Sequence, residues 1–162
     1  MKNPPGIKAI RVLDGLRIEI DWSTKETLSV DLRGLLRAPF GALCERSMFE
    51  QARNSDWGDG IDWPGGLSLG ADTLYDLCRE QAGLPTVTEF NDWMKRNGLS
   101  LATASEALGM TRRMIAHYRT GSRPIPRVVG LALIGFAQSR KESTQRRMRA
   151  VSRDLPFAVQ HE

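Results

Sequence analysis

Between Leu101 and Tyr118 the chain reads LATASEALGMTRRMIAHY, and this stretch constrains the fold more than any other. Gly109 can take positive φ at a tight turn, and Ala104 and Ser105 are small enough to let a second helix cross close to the first. Leu101, Ala104 and Leu108 then face inward before the turn, and Met114, Ile115 and Tyr118 after it. Thr111, Arg112, Arg113, Ala116 and His117 are left outside, a polar and cationic face of the kind a DNA major groove accepts. The pattern predicts a helix-turn-helix.

Charge divides the chain. Residues 1–85 carry 10 Lys and Arg against 13 Asp and Glu, whereas residues 86–162 carry 13 against 6. A basic half of this size gains affinity by releasing counterions from nucleic acid, and an acidic half does not seek phosphate. Duplex DNA is therefore expected on the second half.

Cys44 and Cys78 lie far apart without a paired spacing, and MKNPPGIKAIRV contains no apolar signal-like stretch. Both features predict a reducing, cytoplasmic home. The longest apolar run, Val128 to Ala137, is well short of the roughly 20 residues of a membrane span and predicts a buried helix.

Ile7 to Val12, Leu16 to Trp22 and Thr27 to Leu32 read as strands of a small antiparallel meander, because Leu16, Ile18, Ile20 and Trp22 alternate with charged residues. Asp14-Gly15 predicts a two-residue hairpin turn. Short helical turns are expected between Leu35 and Phe49, a short strand at Ile61 to Trp63, and a helix from Asp72 to Gln81. Gly83-Leu84-Pro85 marks the boundary between halves. Thr88 is the expected N-cap of the next helix, with Phe90, Trp93 and Met94 as its buried stripe and Gly98 closing it; Ser100 is positioned to cap the helix after. Pro126 opens a fourth helix expected to run to about Gln138.

The arrangement from Ser100-Leu101 through Leu108-Gly109-Met110-Thr111, then Ile115, Tyr118 and Gly121-Ser122-Arg123-Pro124-Ile125-Pro126, resembles the Cro and lambda-repressor-like helix-turn-helix family over roughly Thr86 to Ala137. Ser105 stands where alanine is most typical of that family. The first half resembles a bacterial domain of unknown function, family 2442, through Val30-Asp31-Leu32-Arg33, Phe40 to Phe49, Ile61-Asp62-Trp63-Pro64 and Ala71-Asp72-Thr73-Leu74-Tyr75. Together the resemblances imply an α+β protein. A small antiparallel-sheet domain at 1–85 precedes an all-α repressor-like domain at 86–140 and a basic tail at 141–162. They also imply a transcriptional regulator, with an antitoxin-like autorepressor as one form of it.

In that frame Arg112 and Arg113 are the leading base-readers, since an arginine fork matches the O6 and N7 of guanine, while Ala116 can touch a thymine methyl and His117 a base or a phosphate. Ser100, Thr111, Arg119, Arg123 and Arg127 are expected on the DNA backbone, which positions without specifying sequence. The tail from Arg140 to Arg153 is a further candidate for phosphate contact. One module reads only a few base pairs, so a homodimer is expected, with the surplus apolar face of Val128 to Ala137 as its seam or as internal packing.

Catalysis is not expected: the histidines are His117 and His161, and neither cysteine has a credible partner base. Asp56, Asp59 and Asp62 sit in turn chemistry without calcium-loop spacing, so no metal or cofactor is expected. The alternative is a protein-interaction module in which the acidic half binds a protein partner.

Overall fold

The computed structural model describes residues 5–153. Its first half holds two three-stranded antiparallel sheets. Strands β1 (Ile7–Leu13), β2 (Arg17–Trp22) and β3 (Thr27–Asp31) form the expected meander. Alternation on β2 buries Ile18, Ile20 and Trp22 on one face, opposite Val30 of β3, and leaves Arg17 and Asp21 wet. The first hairpin differs from expectation. Pairing stops at Leu13↔Arg17, so the loop is Asp14, Gly15 and Leu16, and the positive φ angles fall on Gly15 (73°) and Leu16 (59°) rather than on Asp14-Gly15. Leu16 thereby leaves the strand alternation and is only half-buried.

Two 3-10 turns and a four-residue helix α1 (Arg46–Phe49) cover the meander, seating Leu43 and Phe49 in the core. The expected strand at Ile61 to Trp63 is β5 (Gly60–Trp63), and it lies between two strands the pattern did not reveal, β4 (Arg53–Asn54) and β6 (Leu67–Gly70). Helix α2 (Ala71–Gln81) closes this core with Leu74, Tyr75 and Cys78.

A second core forms around α3 (Val87–Arg96). Its cap is Thr86, not Thr88: the Thr86 hydroxyl accepts from the Glu89 N–H at 3.0 Å, and the Glu89 carboxylate accepts from the Thr86 N–H at 3.0 Å. Thr88 lies inside the helix and donates instead to Asp76 of α2. Phe90 and Trp93 pack edge-on to Tyr118 (5.7 Å between centroids) and Phe136 (5.4 Å). Through these contacts α3 holds the last two helices, α5 (Arg112–Thr120) and α6 (Arg127–Arg153), with α4 (Leu101–Leu108) alongside. Helix α6 is the largest departure. It passes the expected end at Gln138 and takes in residues 141–153 of the basic tail; residues 154–162, with His161, lie outside the described residues. Nor is its apolar run buried all round, because Val129 and Leu133 face the core while Val128, Leu131 and Ile134 stand more than 60% exposed.

A buried cation bridges the halves, alongside the Thr88–Asp76 bond. Arg79 of α2, 1% exposed, donates from Nε to the Pro85 carbonyl (2.7 Å), from one terminal nitrogen to Glu26 and from the other to the carbonyl of Ile125, in the loop between α5 and α6.

Candidate nucleic-acid interface

Helices α4 and α5 meet at Gly109, Met110 and Thr111. Gly109 ends α4 in the left-handed region (φ 63°), where its N–H bonds to Glu106 and Ser105 and the next N–H, of Met110, returns to the Ser105 carbonyl at 3.0 Å. Thr111 then caps α5, its hydroxyl accepting from the Met114 N–H at 3.2 Å. Ala104 is fully buried at the crossing and Ile115 packs beneath it, so the exposed side of α5 is fixed by the core on its other side.

That exposed side begins with Thr111, Arg112 and Arg113, all solvent-facing. The N–H groups that open a helix have no intrahelical acceptor, so this end adds a positive dipole to two guanidinium groups. Ion pairing does not neutralise them. The five ion pairs among the described residues all lie in the first half, from Arg11–Glu19 to Arg79–Glu26, and no Lys or Arg after Arg79 has an acidic partner there.

The remaining residues separate. Ala116 is half-buried, one turn from Arg112. His117 is also half-buried and turned toward the helix end: Nδ1 bonds to the Ser122 hydroxyl at 2.8 Å, and Nε2 is enclosed without a partner. It is not part of the open cationic face. Arg119 and Arg123 are exposed around the α5 exit, where the carbonyl of Arg119 accepts from Asn91 at 3.0 Å. Arg127 points toward the boundary segment, with a terminal nitrogen 3.5 Å from the carbonyl of Ala82. Ser100 caps α4, accepting from the Thr103 N–H at 3.2 Å. Asn91 and Ser122, which hold the end of α5, were not among the expected residues, because their partners are set by packing of α3 and by the loop after α5.

Among the described residues no three His, Cys, Asp or Glu side chains converge as a metal site, and no helix is long and apolar enough to cross a membrane.

Residues 7–80 match the family described as "Protein of unknown function (DUF2442)". The crystal structure of "Putative DNA Binding Protein NE0471" from Nitrosomonas europaea ATCC 19718 superposes with a TM-score of 0.72 at 34% identity, covering 97% of this chain and 96% of that one. The two chains belong to one family. The likeness extends through the helical half as well as the DUF2442 segment, so the family shares both parts of the architecture. No curated protein matches the chain.

Proposed function

We propose that this protein is a cytoplasmic, sequence-specific DNA-binding transcriptional regulator whose residues 86–140 form a Cro or lambda-repressor-like helix-turn-helix domain. Helix α5 enters the major groove, Arg112 and Arg113 read base edges with Ala116 behind them, and Ser100, Thr111, Arg119 and Arg123 face backbone phosphates. The observation that carries this reading is a helix start bearing two exposed arginines with no acidic partner among the described residues, held rigidly by the buried α4–α5 crossing. The name of the Nitrosomonas relative supports it. Two copies act together on a twofold site, and an antitoxin-like autorepressor is the regulatory form that suits a partner-binding first half. The protein acts by binding, without catalysis.

The test is equilibrium binding of the full chain to duplex DNA from its own promoter region and to scrambled duplex, across a salt series. The expected result is log K falling linearly with log salt, about 0.9 per phosphate neutralised, with Arg112→Ala and Arg113→Ala narrowing the gap between the two duplexes. Binding indifferent to salt and to both substitutions would overturn it. The second reading, a protein-interaction module, is favoured by Trp57, which stands 90% exposed on a turn between Asp56 and Asp59 of the acidic half. Capture of a protein partner lost in Trp57→Ala, with no DNA binding, would establish that reading instead.

A further inference from the structure

Helix α6 makes its last side-chain bond to the domain at Arg140, which donates to Asn97 at 3.0 Å. The 13 residues from Lys141 to Arg153 continue as helix with every one exposed, an overhang of roughly 20 Å at 1.5 Å per residue. A helix of that length is marginal on its own in water. Yet it carries Met148 and Val151 at 68% and 66% exposure.

Those two residues continue a pattern that starts on the domain. Ile134, Ala137, Lys141, Thr144, Met148 and Val151 are spaced alternately three and four apart, the repeat that keeps one seam of a helix facing a second helix. The first three line an open groove of about 980 Å³ between α6, α3 and the Leu84–Pro85 segment, and the last three line a concavity on the overhang. One molecule thus presents a grooved half and a projecting half of the same stripe.

We infer that two copies of this chain pair antiparallel along α6, each overhang lying in the groove of the other. Reversed on itself, the stripe matches layer by layer: Ile134 faces Val151, Ala137 faces Met148, and Lys141 faces Thr144. Apolar meets apolar, the small alanine admits the long methionine, and the polar pair at the centre fixes the register without setting lysine against lysine. A parallel pairing would stack Lys141 on Lys141. The groove is lined by Glu80 and Glu89 together with Arg96, Arg127, Arg140 and Lys141, so its charge is mixed; the incoming tip brings Arg149 and Arg153 toward the end where Gly130 abuts Pro85, the end that holds the two acids, and the apolar layers rather than charge carry the pairing. Glu142, the acid of the overhang, comes within a turn of the partner copy's Lys141.

This inference deepens the two-copy part of the proposed function and rests on that part alone, so it is tested without DNA. Sedimentation equilibrium of the full chain at micromolar concentration should give twice the 18.1 kDa of one chain. Ile134→Glu and Val151→Lys, both at exposed positions, should each halve the mass while leaving the circular dichroism of the folded domains in place. Combined, they should restore the dimer, because each glutamate then faces a lysine. A wild-type mass of one chain, single variants that stay dimeric, or a double variant that stays monomeric would each overturn the pairing. Loss of DNA recognition with the doubled mass intact would count against the DNA reading and leave the seam standing.

Discussion

Cys78 shows how far one side chain can record its surroundings. It is fully buried on α2 in the same core as Trp22, and removal from water pushes its thiol from 9.0 up to about 12; Tyr75 beside it is raised as well, by burial first and then by its hydrogen bond to Glu26. Raised acids of this kind stay protonated in the folded chain while the unfolded chain ionises, so the folded state binds more protons as pH climbs above the unfolded value. Stability contributed by Cys78 is whole below pH 9 and is lost between pH 9 and about 12. Urea unfolding from pH 8 to 10 should show the wild type losing about 1 kcal/mol more than Cys78→Val over the upper part of that range. Equal losses would place the titration elsewhere. Under native conditions the exposed Cys44 should react with a thiol reagent and Cys78 should not. At this scale the candidate interface was half legible. Helical spacing alone puts Arg112 and Arg113 outside, but the recess of His117 depends on a bond to Ser122, five residues on, which no period contains.

Among the elements, legibility follows length. Six-residue β2 alternates and declares its buried face, whereas two-residue β4 and four-residue β6 are too short to show a period; β5, equally short, is legible from the Gly-rich turns on either side of it. The true cap of α3 was readable, since Thr86 and Glu89 stand at capping-box spacing and Thr88 has no such companion. So was the length of α6: no proline follows Pro126 until Pro156, and the intervening Arg, Lys, Glu, Gln, Met and Ala are good helix formers. The two glycines inside α6 give a paired prediction. Glycine to alanine within a helix ordinarily stabilises by up to about 1 kcal/mol. At Gly135 a Cβ meets nothing within 4 Å, so Gly135→Ala should raise the melting temperature. At Gly130 it would lie 2.5 Å from Cγ of Pro85, a ring that cannot swing aside, so Gly130→Ala should lower it by overpacking worth roughly 1–3 kcal/mol. Calorimetry showing the same sign for both would mean that α6 does not bear on the boundary segment as described.

For the whole molecule, the question is why the acidic sheet half and the basic helical half, on either side of Gly83-Leu84-Pro85, should not move as beads on a string. Sequence could mark the boundary but not the bond across it, because the partners of Arg79 lie 53 residues before it and 46 after it. A guanidinium 1% exposed is stable only with its donors occupied, and here they are shared among Glu26 of the meander, Pro85 of the boundary and Ile125 of the helical half. Val87, on the first turn of α3, packs on the first core, and Gly121 sits close enough to Val87 and Pro5 that a Cβ there would approach Val87 at 3.1 Å. Unfolding the helical half takes an acceptor from the buried Arg79, unfolding the sheet half leaves the Ile125 carbonyl without its donor, and the two cores should melt as one. Arg79→Met keeps the volume and removes the shared donors, leaving Glu26 without its cation and the Ile125 carbonyl without its donor. A loss of about 3–5 kcal/mol is expected, together with the splitting of one calorimetric transition into two. The split is the decisive part, since any core substitution lowers the midpoint but only the loss of a shared contact uncouples the halves. A variant that melts lower yet in a single step would show that apolar contact at Val87 and Gly121 couples the domains and that Arg79 merely fills the space between them.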